Sequence, residues 1–292
     1  MKRKNIEKVI APPPHHWVGD GFRVHNFIPG TTLTNMERMN PFILLDYNAN
    51  HHFPPSDRPR GVGVHPHRGF ETVTIAYKGR IQHHDSSGGG GIIGEGDVQW
   101  MTAAGGILHK EYHEKEWSKG GGQFQMVQLW VNLPARNKME APKYQAIKKE
   151  DFGRLTLDEN GSEVEVISGN YLTANGPTST FTPVYLMNLR LKKGYKLPVN
   201  LPANYPTALL VIEGSVLVNE IGKAGVNHFI LMANDGENFT VEATNDALVL
   251  LLSGEPIDEP IAAHGPFVMN NRRELMQAFD DFNRGMFGFL ED

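Results

Sequence analysis

Short runs of β-branched and apolar residues, each cut off by a glycine or a proline, dominate this sequence. Thr72 to Tyr77 stops at Lys78-Gly79, and Ala208 to Glu213 stops at Gly214. Asp20 to Phe27, Asn40 to Tyr47, Gln125 to Val131, Val184 to Leu191 and Ala247 to Leu252 are runs of the same kind. With 31 glycines and 19 prolines in 292 residues, this punctuation points to many short strands, an all-β barrel or sandwich. Ile212-Glu213-Gly214-Ser215-Val216 echoes Ala76 to Ile81, so the second half reads as a repeat of the first. The polar stretch Asn132 to Pro142, holding Pro134 and Pro142, is the best linker and places domains at 1–141 and 142–292. Only the end changes period. Asn271 can cap a helix from Arg272 to about Asn283, with Gly285 as its stop. Leu275, Met276, Phe279 and Phe282 form an apolar stripe expected to pack back on the barrels.

The chemistry-bearing residues cluster twice. His65 and His67 flank Pro66, and strand alternation points both imidazoles one way. Glu71 joins them if no bulge intervenes. Pro66 lacks an N–H and belongs at a sheet edge or strand start. After Gly105-Gly106, alternation puts His109 and Glu111 on one face, with His113 joining them if the strand runs on unbroken. A lone histidine is more often solvated or packed than a ligand, but two evenly spaced pairs beside glycine turns are not lone. The expectation is that His65, His67, His109 and Glu111 converge on one metal ion. His83 and His84 are adjacent, so only one can face the site, and both are expected beside it or at the surface. A zinc-protease helix through His109 and His113 fails, because Lys110 stands where the catalytic Glu belongs. The Gly-rich stretch Ser86 to Gly91 lacks the Lys-Ser/Thr of a phosphate loop. In the second half, Asn200, Pro202 and Pro206 stand at the matching offsets before Gly214, so no metal site is expected there.

Composition narrows the function classes. The formal net charge is −5 with no basic patch, which gives no support to nucleic-acid binding. With no cysteine, only histidine and carboxylate remain as metal ligands. The basic N-terminus is followed by no signal-peptide core, and no apolar run spans a bilayer, so a soluble cytoplasmic protein is expected.

These segments carry a resemblance. Asn40 to Asp46, Gly63 to Val73, Gly96 to Ala103, Gly106 to Glu111 and Gln128 to Pro134 resemble the pirin family, two-domain members of the cupin superfamily. Gly265 to Asn270 with the following helix is similar to the family's ending. The resemblance implies two tandem cupin domains, jelly-roll-like antiparallel β-barrels, with a C-terminal helix. It implies a non-haem iron, Fe(II), in the first, held by His65, His67, His109 and Glu111, although other transition metals accept the same donors. Glu71 stays as a neighbour or alternative ligand, since many other cupins take their carboxylate from the first motif. Several pirins act as quercetin 2,3-dioxygenases, which implies a flavonol and dioxygen as substrates and Glu111 or Glu71 as the general base. Phe42, Phe53, Trp100, Leu108 and Met126 are the expected pocket lining. Other pirins are regulatory, which implies an iron-dependent redox sensor that binds a transcription factor or metabolic enzyme.

Overall fold

The computed structural model describes residues 2–292 and is built mainly of antiparallel strands, as the punctuation predicts. The chain forms two compact units, each holding a seven-stranded and a four-stranded sheet.

The first unit comprises residues 14–37, 41–149 and 257–292. Its larger sheet runs in the order Lys143–Ile147, Val98–Thr102, Phe70–Lys78, Gly122–Asn132, Phe42–Phe53, Phe22–Ile28, His16–Val18. Its smaller sheet runs Gly61–His67, Ile107–His113, Ile81–Asp85, Gly90–Ile93. Alternation sorts Phe70–Lys78 into two faces. Thr72 and Thr74 stand on one, and Glu71, Val73 and Ile75 on the other. Phe22, Phe53, Ala76, Ile81, Phe124 and Met126 form a buried apolar cluster on the Ala76 side. Further along the same face the packing turns polar, and Thr74, Gln99 and Gln128 all reach Glu111.

The second unit comprises the residues up to Pro13, Arg38–Asn40 and Glu150–Pro256. Its sheets repeat the layout of the first. The strand Thr207–Glu213 sits inside the seven-stranded sheet and Ser215–Val218 inside the four-stranded one. Here Leu197, Val199, Val211, Val216, Phe239 and Val241 lie in one buried apolar cluster.

The echo between Gly79 and Gly214 is therefore real, but the motif is a corner and not a hairpin. Ile81–Asp85 pairs with Ile107–His113, not with Phe70–Lys78 before it. The chain leaves one sheet at Gly79 and enters the other. Gly79 has φ +85, and a Cβ there would lie 2.6 Å from the Phe124 ring. Gly214 has φ +75, and a Cβ would meet the Asp246 carbonyl oxygen at 2.0 Å.

The unit boundaries differ from a cut at 141/142. Ile6–Ile10 pairs with Phe229–Met232 and completes the sheet of the second unit. Lys143–Ile147 pairs with Val98–Thr102 and completes the sheet of the first. Residues 257–292 also belong to the first unit. Loop composition signals where a chain bends, but it carries no information about which sheet edge the next strand joins. The expected linker is likewise packed: Lys138 is buried, and its ammonium donates to the Gly69 and Val268 carbonyls and to Asn132 Oδ1.

The helix spans Arg272–Asn283, capped by Asn271 Oδ1, which accepts from the Glu274 N–H at 3.0 Å. Its contact face is Leu275, Ala278 and Phe279, packed with Phe267 and Phe287, while Met276 is exposed. The 3.6-residue period turns Met276 away from the face that Leu275 and Phe279 share. Among the described residues, no helix is long and apolar enough to cross a membrane.

Candidate metal centre

Three of the four expected ligands meet. Gly61–His67 is the edge strand of the four-stranded sheet and pairs with Ile107–His113, with His65 opposite His109. Ring centroids lie 4.2 Å apart for His65 and His109, 4.7 Å for His67 and His109, and 4.9 Å for His65 and His67. Each of the three offers a donor atom within 4.8 Å of the others. Their protons are ordered by partners. His65 Nδ1 lies 2.8 Å from the Gly63 carbonyl, and His67 Nδ1 lies 3.4 Å from the Pro266 carbonyl. A carbonyl only accepts, so in the neutral rings Nδ1 carries the hydrogen and Nε2 is bare. His109 Nε2 is buried with no protein hydrogen-bond partner. Burial first, and then the neighbouring His65, hold His67 and His109 well below the usual histidine pKa, so both rings are neutral. Neutral imidazoles with bare nitrogens are the form that binds metal. The residues present fit a transition-metal ion.

Glu111 is placed differently from the simple expectation. It forms a second group within 4.8 Å, with His109 and His83. The ladder to Gly61–His67 slips between His109 and Glu111, which leaves Glu111 opposite Val62 and displaces its carboxylate from the His65 level. That carboxylate accepts from Thr74 Oγ1 at 3.1 Å, Gln99 Nε2 at 3.4 Å and Gln128 Nε2 at 2.7 Å. Of His83 and His84, both expected beside the site or at the surface, His83 is fully buried against His109, whereas His84 is exposed. The even spacing of His83 and Asp85 on a strand beside the glycine turn was the signal available for it. His113 packs away from the cluster among Phe22, Phe53 and Phe124, where burial lowers its pKa to about 4.

Glu71 does not share a face with the first two histidines. The strand carrying His65 and His67 ends at His67, and Gly69, at φ +92, turns the chain before Phe70–Lys78 begins. Glu71 then stands on the opposite face from Thr74, which reaches Glu111, and it lies in neither metal-capable group. Its carboxylate accepts from Thr102 Oγ1 at 2.7 Å and is buried, which raises its pKa to about 7. The folded state thus binds this proton more tightly than the unfolded chain, whose value is 4.5. The resulting stabilisation is complete below 4.5 and is lost as the pH rises through 7. Glu71→Gln keeps the acceptor for Thr102 and never ionises. It is expected to exceed the wild type in stability at pH 8 by up to roughly 3 kcal/mol, an advantage that largely vanishes near pH 4. Denaturant midpoints at the two pH values check this, and a pH-independent difference would refute it.

The comparisons with known proteins agree with the geometry. The Pirin family model matches residues 21–131, and the Pirin C-terminal cupin domain model matches residues 186–288. The chain belongs to the pirin family. A Pseudomonas aeruginosa protein named provisionally as a quercetin 2,3-dioxygenase is 47% identical over 97% of this chain and 98% of its own length. A crystal structure of quercetin 2,3-dioxygenase from Acinetobacter baumannii superposes with a TM-score of 0.93 at 46% identity, covering 99% of this chain and all of that one. A bacterial pirin from Escherichia coli in complex with nickel(II) superposes at 0.64 with 20% identity, covering 86% of this chain and 100% of that one, and shares the fold. The two barrels are therefore tandem cupin domains.

Beside the histidine cluster this pirin has a small cavity of about 30 Å³, lined by Val18, Phe22, Asp46, His65, Glu111, Met126 and Gln128, among others. Of the expected pocket lining only Met126 borders it. Phe42, Phe53 and Trp100 are buried core, and Leu108 packs with the C-terminal helix residues. Phe53, expected in a loop, ends the strand Phe42–Phe53, and for Phe42, Phe53 and Met126 the face presented depends on bulges in the ladder of Gly122–Asn132 with that strand.

Proposed function

We propose that this pirin is a metal-dependent dioxygenase of quercetin-like flavonols, with His65, His67, His109 and Glu111 holding a divalent ion, most simply Fe(II). The observation that carries the metal is the convergence of three histidines, two of them held neutral by burial and one of those with a buried and unpartnered nitrogen. The substrate class is supported by the likeness to the Pseudomonas and Acinetobacter proteins. Bound there, the ion would supply Lewis acidity and a site for redox chemistry with dioxygen. Everything else falls to the chain. Glu111 borders the cavity and is oriented by Thr74, Gln99 and Gln128, so it is the residue placed to take the proton of a flavonol hydroxyl. Glu71 is outside that lining and is not assigned the role. Met126 and Phe22 supply apolar surface for an aromatic ring. At about 30 Å³ the cavity admits water or dioxygen, far less than the roughly 300–1,000 Å³ of drug-sized ligand sites. Flavonol binding there therefore requires the cavity to open.

The experiment is oxygen uptake and carbon monoxide release with quercetin, on protein whose metal content is measured. One carbon monoxide per dioxygen, lost in the His65→Ala variant, is the expected result. Metal-loaded protein that consumes no oxygen with quercetin, as His65→Ala also does not, would remove the reading.

A further inference from the structure

The three ligand histidines leave one buried pair unexplained. His83 and Asp85 lie two apart on Ile81–Asp85, with both side chains fully buried. That strand pairs with Ile107–His113, placing Asp85 opposite His109 and His83 opposite Glu111. Asp85 Oδ1 is fully engaged: it accepts from the Ser87 and Gly89 N–H groups at 2.9 Å each and from Ser87 Oγ at 2.7 Å. Oδ2 faces His83 Nε2 at 3.3 Å, and His83 Nδ1 faces His109 Nδ1 at 3.4 Å. Both distances are at the long end of the hydrogen-bond range. Tyr144 stacks on His83 at 5.3 Å and 19°, which restrains the ring.

The order of protons along this row follows from what each group can do. A carboxylate only accepts. Burial alone would raise the Asp85 pKa, but the hydrogen bonds from His83, Ser87 and Gly89 outweigh it and hold it below the usual carboxylate range. His83 Nε2 therefore carries a hydrogen toward Asp85, and the tautomer that carries it leaves Nδ1 bare. The group facing that bare nitrogen is His109 Nδ1, so the donor there is His109 Nδ1–H. His109 Nε2 is then bare, and it is this nitrogen that is buried without a partner.

We infer that Asp85 and His83 are positioning residues that lock His109 in its Nδ1–H tautomer and so present Nε2 to the ion. This rests on the metal reading above. For His65 and His67 a backbone carbonyl performs the same task. His109 has no such option. Its strand is internal to the four-stranded sheet, with ladders on both sides, whereas Gly61–His67 is an edge. A side-chain relay replaces the carbonyl.

The test is Asp85→Asn. Oδ1 of the amide must still face the Ser87 and Gly89 N–H groups, so the amide nitrogen faces His83 and can only donate. His83 is then forced to the Nδ1–H tautomer and His109 to Nε2–H, as happens when an amide replaces a carboxylate behind an imidazole. Nitrogen-15 NMR of the metal-free protein should show His109 as Nδ1–H in the wild type and as Nε2–H in Asp85→Asn. Cobalt(II) titrated against a chelator should bind Asp85→Asn roughly 10–100-fold more weakly, at one ion per chain. An Nε2–H His109 in the wild type, or an unchanged tautomer in the variant, would overturn the proposal. So would loss of the ion in His83→Phe with retention in His65→Ala, because the ion would then lie between His83, His109 and Glu111. If the tautomers are as expected but the wild type binds no ion, the relay stands and the metal reading falls.

Discussion

Purified His109→Ala protein is expected to contain no stoichiometric metal. His109 is the one residue common to both groups of converging donors, so its removal breaks either arrangement. Loss of a direct ligand should exceed the roughly 10–100-fold that outer partners cost. His67→Ala should behave alike, since its ring lies 4.7 Å from that of His109 and is held neutral by the same burial. Elemental analysis and chelator competition on the wild type and the two variants decide the matter. Wild-type affinity in His109→Ala would end the case for a metal centre in this barrel.

The largest stability loss outside the centre is expected from Arg68→Ala. Arg68 follows His67 directly and is 4% exposed. Its Nε donates to the Gly105 carbonyl at 2.8 Å, and its guanidinium pairs with Asp281 at 2.7 Å and lies 4.6 Å from the Phe287 ring centroid. It thus ties the C-terminal helix to the turn that presents the first two histidines. Removing one partner of a buried ion pair leaves the other charge uncompensated and costs roughly 3–5 kcal/mol. Asp281→Ala should cost a similar amount. Apolar replacement of both, Arg68→Met with Asp281→Leu, should recover much of the loss, because the penalty lies in the orphaned charge. Urea unfolding of the two single variants and the double variant forms the cycle. Strictly additive losses would show that the pair acts independently and not as an ion pair.

Periodicity was sufficient for part of this molecule. The glycine-bounded β runs, the repeat centred on Gly79 and Gly214, and the capped helix at Asn271 are visible in one dimension, because each depends on residues a few positions apart. The same holds for His65, His67 and His109, whose shared facing follows from even spacing on strands. Glu71 misled because Gly69 breaks the strand between it and His67, so the two residues no longer share one alternation. Asp85 was overlooked, and His83 could be placed only beside the site or at the surface, because their burial depends on Ile107–His113 and Tyr144, which meet them only in space. Glu111 moved relative to the histidines because one ladder irregularity changes its level.

What the sequence by itself determined is local: strand and turn, which side chains share a face, and a donor set limited to histidine and carboxylate in a chain without cysteine. Only the tertiary structure decided that Ile6–Ile10 completes the second unit while residues 257–292 return to the first. Only it decided that a nitrogen of His109 lies buried and unpartnered among other imidazoles. The physical reason is that sheet edges and bulges are closed by partners distant in the chain, and alternation records a face but not what that face meets.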